Sequence, residues 1–172
     1  MSFSNCKCSC TACLVGLSLA GFLLSLYTSY VEIRSERDHG YQAMCDISEH
    51  ISCTKVFTSA YGRGFGLVGP VFGEQSALNL PNGFYGIFYY FLMAGLSFSN
   101  NLRVAYFATY LIGLSNILSI YLAYLLYFVL KDLCVVCVTT YAVNLISLIV
   151  AMQKVHIMVR EEQVMRLIRK DH

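Results

Sequence analysis

Two cysteines three positions apart, in Cys134-Val135-Val136-Cys137, are the residues of this sequence best placed to do chemistry. If a helix starts there, both sulfurs fall on one face and the positive end of the helix dipole favours thiolate. One thiolate can attack a substrate or a disulfide, and its neighbour can resolve the adduct by closing a disulfide. A static disulfide would use the same spacing, so the motif alone leaves both readings open. Cys45 and Cys53 form a second pair, eight residues apart. Residues 41–52 carry Met44, Ile47 and Ile51 at helical spacing, which predicts a short amphipathic helix there. Across eight residues of continuous helix the two Cα atoms would lie ~12 Å apart, beyond the ~4.4 to 6.8 Å that a disulfide spans. Either the helix breaks between them when they pair, or Cys53 pairs with Cys134. A structural zinc built from these four sulfurs would need a ligand-spaced partner pair, which is missing, so no metal is expected.

Other residues offer support rather than reaction. Asn82 stands at the entry to an apolar run, and Tyr141 lies four residues after Cys137, one helical turn deeper. Both could hydrogen-bond a ligand near the sulfurs, although Pro-Asn-Gly is also a turn sequence and an interfacial Tyr is also a membrane anchor. Asn116 and Asn144, with the small residues Ser115, Ser119 and Ala123, read as helix-to-helix contacts. Cys6, Cys8, Cys10 and Cys13 precede the first apolar run and suit acylation or a reduced state better than catalysis. Gly64-Phe65-Gly66-Leu67-Val68-Gly69 fits a dinucleotide fingerprint by spelling only: no strand pattern precedes it and Pro70 follows. Its glycines read instead as tight turns and close backbone approach.

The elements that must position these residues are membrane spans. Of 172 residues 57% are hydrophobic and only 13% charged, with a mean hydropathy of +0.59, too apolar for a single soluble core. Four uncharged runs, 8–31, 75–102, 104–130 and 133–153, each reach the ~20 residues needed to cross a bilayer. The expected fold is therefore an all-α membrane protein, a four-transmembrane-helix bundle. The first run continues past any cleavage site and is read as a retained span. A net charge of +2 without a basic stripe excludes a nucleic-acid partner. With four spans, the polar segment 32–82 and the Lys131-Asp132 turn share one face, which puts Cys45, Cys53 and Cys134 on the same side. Lys154, Arg160, Arg166, Arg169 and Lys170 crowd the tail, which places both termini in the cytoplasm by the positive-inside rule. The large loop then faces an oxidising compartment. The ending Arg169-Lys170-Asp171-His172 is similar to a dibasic retrieval signal of the endoplasmic reticulum. The apolar, Gly-rich stretch 56–73 is too short to span and suits a segment capping the bundle mouth.

In order along the chain, Cys45 and Cys53, Gly62-Arg63-Gly64-Phe65-Gly66, Asn79-Leu80-Pro81-Asn82 and Asp132-Leu133-Cys134-Val135-Val136-Cys137-Val138-Thr139-Thr140-Tyr141 closely resemble the vitamin K epoxide reductase family. The similarity runs from about residue 14 to 155, in the manner of the animal enzyme or its like-protein paralogue, with Tyr61 where animal members commonly carry Trp. The resemblance implies a four-helix domain over 13–155 in the endoplasmic reticulum membrane, with a luminal cap segment within 32–82. Residues 1–12 and 156–172 would be a cytoplasmic Cys-rich N-terminus and a cytoplasmic basic tail. It further implies Cys134 and Cys137 as the catalytic pair and Cys45 and Cys53 as an electron shuttle. Asn82 and Tyr141 become contacts to the quinone ring, and Phe57 its cover. The implied reactions are reduction of vitamin K 2,3-epoxide to the quinone and of quinone to hydroquinone, with no tightly bound cofactor but a required thiol reductant. The implied partners are a luminal thioredoxin-like electron donor, the lipid bilayer and coumarin inhibitors. The rival readings are a quinone-linked thiol oxidase and a tetraspan scaffold whose disulfides are structural.

Overall fold

The computed structural model describes residues 3–38, 40–48, 50–73 and 75–170, so Met1, Ser2, His39, Glu49, Glu74, Asp171 and His172 lie outside the described residues. Among these residues the chain is helical, with no strand beyond isolated bridges. Four long helices carry the fold: α1 (Phe3–Arg37), α4 (Asn82–Ser97), α5 (Leu102–Tyr124), continued by a π-helical turn at Leu125–Leu130, and α6 (Val135–Lys170). Two five-residue helices, α2 (Cys53–Phe57) and α3 (Val68–Phe72), lie between the first two. The long helices are uninterrupted because both prolines of the chain, Pro70 and Pro81, fall outside them. Hydroxyls inside the apolar helices fold back on their own backbone: Ser25 Oγ donates to Gly21 O at 2.9 Å and Ser29 Oγ to Ser25 O at 2.9 Å. These two buried hydroxyls are thereby satisfied within the helix.

Among the described residues three helices are long and apolar enough to cross a membrane, over Asn5–Arg37, Leu102–Leu130 and Val135–Arg169. Their outward faces carry Leu19, Leu23, Phe107, Tyr110, Ile117 and Ile120, all exposed, and the chain is a membrane protein. The second uncharged run is only partly helical. Pro81, which cannot continue a helix backwards, starts α4, and Asn101 starts α5 by accepting the Arg103 N–H at 2.9 Å. What remains is 16 residues, about 24 Å at the helical rise, against a hydrocarbon core of about 30 Å. At the opposite end α6 runs unbroken through 156–170, so the basic tail extends the last helix.

α1 packs on both α4 and α6, and α5 packs on α6, whereas α4 and α5 touch sparingly. The α1–α4 seam is close because it is built from small residues. A Cβ on Gly83 would meet Ser29, one on Gly86 would meet Ser25, and one on Gly21 would enter the Tyr90 ring. Gly86→Val is therefore expected to destabilise the fold by about 1 to 3 kcal/mol through overpacking. Gly95, which has open space where its Cβ would stand, is the control. In a thermal melt of the detergent-solubilised protein, Gly95→Ala should match or exceed wild type while Gly86→Val melts earlier.

On the α5–α6 seam, Asn116 Nδ2 donates to Asn144 O at 3.0 Å and Asn144 Nδ2 to Ser119 Oγ at 2.9 Å, while Tyr90 donates to Asn144 Oδ1 at 2.8 Å. These asparagines join helices, as their small-residue neighbours implied. At the far end, the buried Lys154 donates to the carbonyls of Ser97 and Ser99, satisfying the end of α4.

Candidate active site

The two cysteine pairs meet because the backbone is stitched at the residues before them. Leu133 donates its N–H to His50 O at 2.8 Å and accepts the Ser52 N–H at 3.0 Å, a single parallel bridge between two loops. Cys53 and Cys134 each follow that bridge by one or two residues, and their sulfurs stand 3.6 Å apart with neither side chain reached by solvent. Cys53 is bonded to Cys45 in a disulfide with a Cα–Cα separation of 5.8 Å.

The predicted helix over 41–52 is absent, which resolves the spacing conflict in favour of a break between Cys45 and Cys53. The cause is Asp46. Its Oδ1 accepts from Ser52 Oγ at 2.9 Å and Thr54 N at 3.0 Å, and its Oδ2 from Ala43 N at 2.9 Å and Thr54 Oγ1 at 2.6 Å. Four donors gathered on one carboxylate outcompete helical hydrogen bonding, and the chain folds back through Ser48 and Ile51 instead. Ser52 then caps α2, accepting the Lys55 N–H at 3.2 Å.

Burial opposes the Asp46 charge, but the hydrogen bonds from Thr54, Ser52 and Ala43 outweigh it and hold the carboxyl below its usual 3.8. A folded pKa below the unfolded one stabilises the loop above pH 3.8 and loses that stability as pH falls through the lower folded value. Limited proteolysis of the loop is expected to stay slow at pH 5 and to accelerate as pH falls below 3.8. Asp46→Asn, which loses charge-assisted bonds worth about 1.5 to 3 kcal/mol each, should be cut rapidly even at pH 7.

Cys134 is the residue immediately before α6, and its Sγ accepts the Cys137 N–H at 3.3 Å, as an N-cap side chain does. The C-x-x-C spacing thus places the two sulfurs together at a helix start. A hydrogen bond from the Cys137 thiol, together with backbone amides at the helix start, holds the Cys134 thiol below its usual pKa against burial. The two sulfurs face different surroundings. Cys134 is closed against Cys53, whereas Cys137 lines a partly open cavity of about 480 Å³ between the helices.

That cavity is mainly apolar, walled by Leu114, Leu118, Leu122, Phe88 and Val136, with few polar groups. Asn82, Tyr141 and Phe57 line it together with Cys137. Phe57 ends α2 and is buried in one apolar cluster with Val31, Leu126 and Cys134. Asn82 also braces the cap: Nδ2 donates to Tyr61 O at 2.7 Å, and Oδ1 accepts the Phe65 N–H at 2.8 Å. Phe65 sits in a left-handed turn at φ 58°, flanked by Gly64 at 51° and Gly66 at 70°. The flanking glycines make such a turn possible, and Asn82 holds the one residue in it that pays a steric cost.

The dinucleotide-like spelling is therefore a left-handed turn over the cavity. Arg63 fastens it to α1, with Nε donating to the buried Glu32 Oε1 at 3.2 Å and Nη2 to Glu36. Among the described residues no cluster of His, Cys, Asp or Glu could hold a metal. A dithiol with one sulfur buried within van der Waals reach of a disulfide and the other lining an apolar cavity is an arrangement for passing electron pairs between sulfur and an apolar acceptor.

The comparisons with known proteins agree with that chemistry. The profile of the vitamin K epoxide reductase family matches residues 12–152. The chain belongs to this family. It is 43% identical over 145 residues to vitamin K epoxide reductase complex subunit 1 of Mus musculus, covering 82% of this chain and 88% of the relative. The same subunit of Rattus norvegicus shows 43% identity with the same coverage. The vitamin K epoxide reductase family match excludes residues 1–11 and 153–172, the outer parts of the first and last helices. Membership and the Cys45–Cys53 disulfide together give the protein a redox function of the vitamin K epoxide reductase type.

Sequence reasoning did not find Asp46, Glu32 or Tyr27. Asp46 was legible only as a charge in a polar segment, and Glu32 as the end of an apolar run. Tyr27 stood inside that run with no partner in view, yet its hydroxyl lies 3.7 Å from Cys45 Sγ.

Proposed function

We propose that the protein reduces vitamin K 2,3-epoxide to the quinone, and the quinone to hydroquinone, at the luminal side of the endoplasmic reticulum membrane. The observation that carries this reading is the division of the two sulfurs, Cys137 to the apolar cavity and Cys134 to the Cys45–Cys53 disulfide. Cys137 hands its proton to Cys134 and attacks a ring carbon of the bound naphthoquinone. For the epoxide, the C–O bond opens and the oxygen takes the proton back from Cys134, which is left as a thiolate. Cys134 then attacks Cys137 Sγ, the carbon–sulfur bond breaks, and water is lost from the ring as the Cys134–Cys137 disulfide forms. For the quinone, the same displacement releases hydroquinone once both oxygens are protonated. Each turnover moves two electrons from the dithiol.

Asn82 and Tyr141 support the negative charge that develops on the ring oxygens, and Phe57 covers the ring. Cys53 reopens the spent disulfide by attacking Cys134. Cys45 resolves the mixed disulfide, which regenerates the Cys134 thiolate and leaves Cys45 bonded to Cys53. The described arrangement, with the loop pair bonded and Cys134 and Cys137 free, matches the state just after electrons enter the active pair. A luminal thioredoxin-like protein reduces the loop pair. A thiol reductant is thus required and no tightly bound cofactor is used.

In this reading α4 is the fourth crossing, its 16 residues completed by adjoining turns and local thinning of the bilayer. Residues 13–155 form the reductase domain and 32–82 hold its luminal loop and cap. Residues 1–12 and 156–172 face the cytoplasm. The isoprenoid tail leaves the cavity between α4 and α5, the seam with least contact, and coumarins compete for the ring position. The test is direct: purified protein with dithiothreitol and vitamin K epoxide should yield the quinone. Oxidation of thiols by quinone with no opening of the epoxide would favour a thiol oxidase instead.

A further inference from the structure

We infer that Tyr27 is a positioning residue of the disulfide relay, its hydroxyl donating a hydrogen bond that holds Cys45 Sγ as a thiolate whenever the Cys45–Cys53 bond is open. This inference rests on the proposed shuttle role of that pair. Tyr27 is on α1, which carries none of the reactive cysteines of the site, and its hydroxyl stands 3.7 Å from Cys45 Sγ. A disulfide sulfur has no proton, so the hydroxyl must be the donor in this contact. Tyr27 and Cys45 both pack against the buried cluster that holds Val31, Ala43 and Cys53.

The chemistry needs a donor at that place. When Cys134 Sγ, 3.6 Å from Cys53 Sγ, attacks it, the Cys53–Cys45 bond breaks and the electron pair leaves on Cys45. Cys53 becomes bonded to Cys134, and Cys45 becomes a thiolate in a half-buried loop. By microscopic reversibility the forward, electron-loading step starts from that thiolate. Cys45 attacks Cys53 of the mixed disulfide and expels Cys134, which the Cys137 N–H is already placed to receive. The two ends of the exchange are then held alike, Cys134 by a helix-start amide and Cys45 by a phenol from another helix. Exchange rate follows the thiolate fraction of the attacking sulfur, so a donor at Cys45 speeds loading. The other titratable groups facing this place are Tyr41 and Asp46 from the loop, with Cys53 and Cys134 beyond. The Asp46 charge opposes a thiolate there, which makes the Tyr27 hydrogen bond the main favourable contact.

The experiment compares wild type with Tyr27→Phe, which keeps the ring and removes the hydroxyl, as full-length protein in nanodiscs. In fully reduced protein, alkylation of Cys45 by iodoacetamide is followed by mass spectrometry across pH. The midpoint for Cys45 is expected to rise by about one pH unit in Tyr27→Phe, a tenfold lower thiolate fraction at neutral pH, with that of Cys134 unmoved. Turnover driven by a thioredoxin-like protein should fall about tenfold at pH 7, and the deficit should close as pH rises and the thiolate forms unaided. An unmoved Cys45 midpoint, or a deficit equal at every pH, would overturn the inference and leave the hydroxyl a packing contact. Cys45→Ser separates this from the reading beneath it. If Cys45→Ser keeps full turnover with the protein donor, the shuttle itself is wrong. If Cys45→Ser is inactive and Tyr27→Phe unshifted, only the role of Tyr27 is.

Discussion

Cys137→Ser and Cys134→Ser are each expected to abolish epoxide turnover with any reductant, a loss of about 10⁴-fold or more, the scale on which removing a nucleophile acts. A hydroxyl can neither form the carbon adduct at neutral pH nor close the product disulfide. Cys45→Ser and Cys53→Ser should behave differently. They should lose turnover driven by a protein donor yet retain part of it with dithiothreitol, which reaches the cavity directly. Turnover assays of the four variants under both reductants check this. Equal loss in all four under dithiothreitol would make the loop pair structural, and the short Cys53–Cys134 approach would then have no part in electron transfer.

Asn82→Ala should lower epoxide turnover by ~10² or more, since a lost donor to developing oxygen charge costs about 2.7 to 4 kcal/mol. A second loss adds to the first, because the same side chain braces Tyr61 O and the left-handed Phe65. Tyr141→Phe keeps the ring that lines the cavity and removes only the hydroxyl, so it should weaken both substrate and coumarin binding by about 1 to 3 kcal/mol. The control is Asn144→Ala. That amide also borders the cavity, but it ties α6 to α4 through Tyr90 and to α5 through Ser119. It should lower thermal stability more than inhibitor affinity in the folded fraction. If Asn144→Ala abolished inhibitor binding while Asn82→Ala and Tyr141→Phe bound as wild type, the ring would have to lie deeper between α4, α5 and α6.

The reactive centre was legible because its chemistry is local in sequence. Cys134 and Cys137 need only a helix start between them, and the absence of proline or charge after Cys134 supplies it. Residues 41–52 misled because apolar spacing says nothing of a competing carboxylate. Asp46 collects donors from Ala43, Ser52 and Thr54, and that convergence exists only after the chain has turned. The second uncharged run is longer than its helix, whose start at Asn82 the Pro-Asn-Gly sequence marked. Hydropathy measures where charges are missing, whereas the helix begins where Pro81 and the braces of Asn82 allow. Pairing of Cys45 with Cys53 was one of two alternatives from spacing, and the turn at 48–51 decides between them. The contact of Tyr27 with Cys45 joins residues 18 apart on different elements, and no periodicity encodes it.

The central claim is that electrons pass from the loop pair to the Cys134–Cys137 pair and from there to the quinone, in that order. Fully reduced protein mixed with one equivalent of vitamin K epoxide, acid-quenched at intervals and mapped for disulfides by mass spectrometry, tests it most directly. The account predicts that Cys134–Cys137 forms first, in step with quinone release. The Cys53–Cys134 link then appears transiently, and Cys45–Cys53 accumulates last with Cys134 and Cys137 free again. Accumulation of Cys45–Cys53 before any Cys134–Cys137, or quinone release in Cys137→Ser at the wild-type rate, would contradict it.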